Sequence, residues 1–517
     1  MNRIYIKQFI ILLLTLTSVG GAYAFDLNDI APVNPLDEKT KNYNKELSMP
    51  IFELKRAKLT KNAIKNQYAI AMSKFTRSNV RASYADFKVL IDSVAPNDYV
   101  YMRLVQEMAS IGFFNLAELA MSKIEDSTLC SSVEDDVKKF YFPSSDLTQK
   151  DQLYLAELYS NIMYNDQSKE ATSELSKQST LLMESDYANY ILALGSMKNG
   201  NSKAALEYIN KAAAKNPKNL NYKKLKAEIY AQNGNQKEAL SIHKELSKAD
   251  LKTVIFNNEI HSSVDYIMYK TAKNDYIRKY YLAHYYFDKD EYNKALGVLQ
   301  TSVSTKKNIN KDVFALSSQI YFETKEFEKA QDYAQKSLNI DGSNYAALTV
   351  IGDVAYRNKD YQKAIKFYKK AQSREHDYEA SLKLAQTYLK LKEINKAKEI
   401  YSKILKDSSK SYLAYYNMAL LEPDRETEYL KKSISINPDF ENGWVDLARV
   451  MIKKNMFEQA LSYLGIAKHI NESDYRYYYY FGLVLKEKGL FASAKENFEQ
   501  SLKLNPDFTP AKEELQI

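Results

Sequence analysis

Apolar and small residues return along this chain at intervals of 34 positions. The repeat is plainest near the C-terminus: Trp444, Leu447, Ala448, Met451, Ala460, Leu464 and Ala467 are followed at the same spacing by Tyr478, Phe481, Gly482, Leu485, Ala494, Phe498 and Ser501. Earlier copies are marked by Tyr388, Ala397 and Tyr401, by Gly352, Ala364 and Tyr368, and by Tyr321, Ala330 and Ala334. Between these positions Lys and Glu alternate, as on a solvated helical surface. Gly112, Gly200, Gly234 and Gly489 each fall fifteen residues into a repeat, where a chain turning between two helices needs a residue that tolerates positive φ. Asn216-Pro217, Asn437-Pro438 and Asn505-Pro506 stop the second helix, because the residue before proline is driven out of the α region. Each repeat therefore predicts helix, turn, helix.

With Pro506 closing the last copy, these residues and spacings resemble the tetratricopeptide repeat. The resemblance covers nearly all of the chain after residue 50. It implies an all-α fold: an α-solenoid, or right-handed superhelix, of about twelve helix pairs starting near residues 66, 98, 152, 186, 220, 276, 311, 345, 378, 412, 441 and 475. Small residues at the helix crossings (Gly352, Ala448 and Gly482 on first helices, Ala364, Ala460 and Ala494 on second ones) let the backbones approach.

Two spacings exceed the period. Residues 131–150, with Pro143, read as a loop with a short helix, and residues 251–275, rich in apolar side chains such as Val254, Phe256 and Ile260, as an added helix or linker. The expected organisation is an N-terminal solenoid over 50–250 and a C-terminal one over 276–517 with a short polar cap. The tenth unit, 412–437, is short and carries Pro423 at its turn, which predicts trimmed helices.

The start of the chain differs. Arg3 and Lys7 precede an apolar run over 9–19 that ends at Ala22, Tyr23 and Ala24. This run is shorter than the ~20 residues a spanning helix needs. Residues 1–24 therefore read as a secretory signal peptide cleaved after Ala24, and 25–49, with Pro32 and Pro35, as a flexible tether. No other segment is apolar for long enough to span a bilayer. The expected location is periplasmic or secreted.

Composition removes several classes of function. The net charge of +8 comes from 73 basic against 65 acidic residues, and only 11 of the basic ones are Arg. Nucleic-acid binding calls for a concentrated basic face and favours the Arg fork, so no nucleic-acid partner is expected. Cys130 is the one cysteine, which rules out an intramolecular disulfide and reads as a buried apolar residue. The five histidines are His243, His261, His284, His376 and His469. His284 with Asp288 and His469 with Glu472 have helical spacing but no further ligand nearby, so no metal is expected. Phosphate-loop, dinucleotide and nucleophile-elbow motifs are missing, and neither a cofactor nor catalysis is expected.

What remains is binding. By resemblance, the first helices line a concave face that holds peptides or partner helices, with positions two, five, nine and twelve of each repeat turned toward it. The candidate partner-binding groove comprises Tyr187, Tyr190, Tyr280, His284, Phe287, Phe322, Tyr356, Tyr416, Arg449 and Tyr479. It is aromatic and mildly polar, suited to aliphatic anchors and peptide backbone. The expected role is an exported scaffold or adaptor for protein partners of the cell envelope. The alternatives are a glycan-binding subunit in polysaccharide secretion and a non-catalytic subunit of an envelope enzyme complex.

Overall fold

Helices joined by tight turns follow one another through the computed structural model. It describes residues 61–515 apart from 95–96, 145, 179, 247–248, 254–268, 270–271, 273, 303–306, 373–377 and 409. The expected leader at 1–24, the tether at 25–49, most of the segment 251–275, and His261 and His376 lie outside the described residues. The described residues form twelve helix pairs and contain no strand. No described helix is long and apolar enough to cross a membrane.

The chain divides into two units. The first joins Met1–Glu125 with Val137–Tyr222, and the second joins Asp126–Asp136 with Lys223–Ile517. In the first unit the pairs are Lys61–Phe75 with Val80–Ser93, Asp98–Ser110 with Phe114–Met121, Gln149–Tyr164 with Ser168–Leu175, and Asp186–Lys198 with Ser202–Lys215. Leu220–Gln232 and Gln236–Leu246 form the next pair, most of it in the second unit. Then come Asp275–Phe287 with Tyr292–Gln300, Lys307–Glu323 with Phe327–Ile340, Tyr345–Arg357 with Tyr361–Ala371, and Tyr378–Lys390 with Ile394–Asp407. Tyr412–Leu421 with Glu426–Ile436, Glu441–Lys453 with Phe457–Ile470, and Tyr475–Glu487 with Phe491–Leu504 complete the array, and Thr509–Leu515 covers its end. Helix packs on helix in chain order, as in an α-solenoid.

The turns explain the spaced glycines. Gly112, Gly200, Gly234 and Gly489 have φ of +84°, +74°, +76° and +78°. Lys325, Lys359, Lys392 and Asn455 fill the same place in other turns at +64°, +62°, +62° and +57°. Beyond that residue the next N–H reaches back into the helix, Asn201 to the Ser196 carbonyl at 2.9 Å and Glu326 to that of Tyr321 at 2.8 Å. This closure satisfies carbonyls that the helix end leaves unpaired. At the other stop, Asn216, Asn437 and Asn505 leave the helical region at φ −129°, −125° and −138° ahead of their prolines.

The small residues at the crossings receive rings. A Cβ on Gly352 would stand 2.5 Å from the Tyr368 ring, and one on Gly482 would stand 2.7 Å from that of Phe498. Each glycine takes a ring from sixteen residues later, on its own repeat's second helix.

Two irregular segments have local causes. Pro423 opens a 3-10 turn, Pro423–Arg425, and the preceding helix is trimmed to Tyr412–Leu421. Residues 131–150 differ from the loop with a short helix expected there, because a fourteen-residue helix runs over Ser127–Phe140. The Asp126 carboxylate accepts the N–H groups of Thr128 and Leu129 at 3.0 Å, and Leu129, Val133, Val137 and Phe140 are buried. Starting four residues before the added segment, the helix borrows its cap and first turn from the ordinary repeat, which hid its period. Cys130 on this helix is only partly buried. Within the second unit, buried Asp136 accepts the N–H groups of Lys252 and Thr253 at 2.7 Å, and Lys431 pairs with Asp126 at 2.8 Å.

Candidate first-helix binding face

Positions five, nine and twelve do not form one continuous open stripe. In the first unit, Tyr187 and Tyr190 are interior residues, 3% and 9% exposed. Tyr187 lies edge-on to Phe114 at 5.0 Å and stacks on Tyr190 at 5.8 Å, and Tyr190 stacks on Tyr222 at 5.4 Å. The Tyr187 hydroxyl occupies the space beside Gly112 where a Cβ would point. Burial raises its pKa well above the ordinary value. These two residues build core, and their placement in a groove is corrected: the Tyr187 hydroxyl fills the space that Gly112 leaves open, and Tyr190 is closed between Tyr187 and Tyr222.

In the second unit, Tyr280, His284 and Phe287 run along one side of Asp275–Phe287, with ring centres 6.1 and 6.2 Å apart, and all three are half-buried. Asn274 starts this helix by accepting the N–H groups of Tyr276 and Ile277 at 2.9 and 3.3 Å, as an N-cap does. His284 Nδ1 stands 3.6 Å from Asp288 Oδ1. Among the described residues no group of three or more His, Cys, Asp or Glu is placed to hold a metal.

The position-twelve rings have a second job. Phe287 meets Tyr292 at 5.9 Å, Phe322 meets Phe327 at 5.4 Å, and Tyr356 meets Tyr361 at 5.5 Å. Each pair joins the last turn of a first helix to the first residue of its partner, so these rings staple the turn while one face stays half-open. The Arg357 guanidinium adds to this, 3.8 Å over the Phe327 ring.

Tyr416, Arg449 and Tyr479 are held by neighbours. The Tyr416 hydroxyl donates to Asp446 at 2.8 Å, Arg449 Nε donates to the same carboxylate at 2.8 Å, and Arg449 also pairs with Glu426. Burial, with Asp446 adding to it, raises the Tyr416 pKa. The Tyr479 ring packs on Phe498 at 5.9 Å and on Phe508, ahead of the closing helix, at 5.1 Å.

A cluster absent from the aromatic stripe lies across three successive first helices. Lys383 on Tyr378–Lys390 reaches Asp353 on Tyr345–Arg357 at 2.6 Å and Glu379 at 2.8 Å, and the Tyr368 hydroxyl donates to Asp353 at 2.7 Å. Burial raises the carboxyl pKa of Glu323, on Lys307–Glu323; Lys383 offsets part of this, and Asp353 and Glu379 add to it. Asp353 is likewise raised by burial, with Lys383 acting against it. Asp353 sits at position nine of the expected stripe, but its partner at position six does not, so the pair escapes a reading made one helix at a time. One signal would have found it: Asp353 to Lys383 spans 30 residues, as do Tyr416 to Asp446, Lys311 to Asp341, Glu441 to Asn471 and Glu458 to Lys488. One repeat less one helical turn brings Asp353, Tyr416 and Glu458 opposite i+30 on the next pair, whereas Lys311 and Glu441 meet the residue that closes their own pair.

Stacked helix pairs bearing inter-repeat polar pairs beside half-open rings define a helical-repeat binding scaffold. Tetratricopeptide repeat models match residues 192–245, 317–380, 355–420 and 475–508, so the chain carries tetratricopeptide repeats. As such it is a protein-interaction scaffold. Comparison with curated proteins finds no match. Among solved structures it is similar to a chain of the APC/C hetero-tetramer Cut9-Hcn1, at 14% identity over 80% of this chain and 96% of that one, TM-score 0.37. It is also similar to MamA, at 24% identity over 31% and 96%, TM-score 0.26, and to pilF of Pseudomonas aeruginosa, at 16% identity over 45% and 96%, TM-score 0.26.

Proposed function

We propose that this protein is an exported adaptor of the cell envelope that holds a protein partner against the first helices of residues 307–390. The observation that carries this reading is the meeting of Glu323, Asp353, Glu379 and Lys383 across three repeats, with half-buried Phe322 and Tyr356 within one helical turn. Three carboxylates around one ammonium leave an acidic excess, and the rings supply apolar contact. An extended segment carrying Lys or Arg between apolar side chains complements both. Export rests on the leader-like residues 1–24, and the identity of the partner would separate envelope assembly from polysaccharide secretion or service in an enzyme complex. Glycan binding is supported less well, since stacking on sugars needs open ring faces and Tyr187 and Tyr190 are buried against other rings.

The test is crosslinking of the tagged full chain in its own host, read by mass spectrometry, beside a Glu323→Lys, Glu379→Lys variant and a Glu399→Lys control on the second-helix side. A protein captured by wild type and control but lost from the double variant supports the adaptor reading and its face. Equal capture by all three overturns the face, and capture of no protein by wild type overturns the adaptor reading.

A further inference from the structure

The joint between the last two repeats is built differently from its counterpart earlier in the array. Where Lys307–Glu323 meets Tyr345–Arg357, Lys311 pairs with Asp341 at 2.9 Å, and Asn344 caps the next helix by accepting the Ala347 N–H at 3.1 Å. One hundred and thirty residues on, Glu441 replaces Lys311, Asn471 replaces Asp341 and Asp474 replaces Asn344. The favourable ion pair is gone, and two carboxylates stand within hydrogen-bonding reach of each other.

The donors at this joint are accounted for. Asn471 Nδ2 donates to Glu441 Oε2 at 2.9 Å. Arg476 serves Asp474 through its backbone N–H at 2.7 Å and its Nε at 3.1 Å to both carboxylate oxygens. Glu441 Oε1 is buried with no donor. Two acceptor oxygens facing each other in a buried joint repel unless a proton sits between them. Of the two carboxyls, Asp474 is the one held ionised by Arg476, so the proton belongs to Glu441, as a donor to Asp474.

We infer that Glu441 and Asp474 form a one-proton latch that docks the terminal repeat, residues 475–515, and that loss of this proton loosens it. Burial and Asp474 raise the Glu441 carboxyl from its ordinary value to about 7, which places the change where it can be read. The charged groups facing the pair are Arg476, engaged with Asp474, and, through Arg476, Asp446. On the preceding helix Glu426, Lys431 and Lys432 are committed to Arg449, Asp126 and Glu428. On Phe457–Ile470, Glu458 pairs with Lys488, and Lys468 stands 5.2 Å over the Tyr477 ring. Asp439, His469 and Glu472 are the ionisable groups nearest in sequence. Loosening would expose the apolar contact of Ala448, Leu464 and Tyr477, so the latch controls how much of the array's end is open to a partner.

The test is hydrogen exchange on the full chain between pH 5.5 and 8.5, corrected for intrinsic rates, comparing peptides from 475–515 with peptides from 345–371. The single tryptophan, Trp444, three residues from Glu441 and fully buried, reports the same joint by fluorescence. Wild type should lose about tenfold or more protection in 475–515 as pH rises from 5.5 to about 7 and level off above that, since each pH unit between two linked pKa values shifts the equilibrium about tenfold. Residues 345–371 should stay constant. Glu441→Gln, which keeps a neutral donor, and Asp474→Asn, which removes the opposing charge, should each abolish the dependence, while His469→Asn should keep it. A flat wild-type profile, a dependence surviving in Glu441→Gln or Asp474→Asn, or its loss in His469→Asn overturns the latch.

Discussion

Gly352→Ala tests whether the crossings are set by rings rather than by backbone contact. A new Cβ would lie 2.5, 2.7 and 3.1 Å from three atoms of the Tyr368 ring, about 1 Å inside ordinary van der Waals contact. The ring has nowhere to go: it is 1% exposed, and its hydroxyl is fixed to Asp353 at 2.7 Å, which Lys383 holds in turn at 2.6 Å. Alanine in a helix interior gains about 1 kcal/mol over glycine. Overpacking costs about 1–3 kcal/mol, and displacing the hydroxyl from a charged acceptor costs about 1.5–3 kcal/mol more. The net expectation is a loss of about 1.5–5 kcal/mol. Gly465→Ala is the matched control, because an added Cβ there meets nothing within 4 Å and should stabilise by about 1 kcal/mol. Urea unfolding followed by circular dichroism separates the two by the sign of the midpoint shift. In a Tyr368→Phe background the ring is released from Asp353, and the cost of Gly352→Ala should shrink. A Gly352→Ala midpoint equal to or above wild type would refute the ring-locking argument.

Three further outcomes follow from the turns and the buried charges. Replacing Lys325, Lys359 and Lys392 by Gly relieves three left-handed residues and should raise stability by roughly 0.5–1 kcal/mol each, with near-additivity because the turns are separate; calorimetry of the triple variant checks this. His243 is 2% exposed, neither ring nitrogen has a hydrogen-bond partner among the described residues, and burial with Lys224 nearby lowers its pKa to about 4. The unfolded state therefore takes up the proton first: stability is whole above pH 6.5 and falls by up to about 3 kcal/mol as pH drops toward 4, a slope that urea titrations of His243→Leu should lack. Asp136→Ala leaves the buried Thr253 N–H and the part-buried Lys252 N–H without their carboxylate and should cost about 2–4 kcal/mol, with exchange protection lost at Lys252 and Thr253.

The fold was legible because solenoid packing is local. Each pair closes on its own turn and its neighbour, so a 34-residue period carries nearly all of the required contacts, and positions such as Gly200, Pro423 and Trp444 could be placed from spacing alone. The helix Ser127–Phe140 was not, since its stripe of Leu129, Val133, Val137 and Phe140 begins inside what the period counts as a normal repeat. The candidate face was less legible for a different reason. A first-helix offset states which way a side chain leaves the helix, but not what waits there: at position five Tyr187's neighbour Tyr190 met Tyr222, and Tyr416 met Asp446.

That difference carries a consequence for how such a face is specified. An apolar solenoid core is tolerant of which aliphatic residue fills a site, whereas a half-buried charge needs its partner or it costs several kcal/mol. The i to i+30 pairs that cross between repeats therefore tie the identity of one repeat to that of the next: Asp353 requires Lys383, and Tyr416 meets Asp446. Exchanging the Tyr345–Ala371 repeat for a copy of the Glu441–Ile470 repeat would put Arg449 in the place of Asp353 and strand Lys383 without its carboxylate. Repeat order along this chain is thus fixed by its polar pairs more than by its core, and the same pairs, lying on the side of the first helices, are what a partner would encounter.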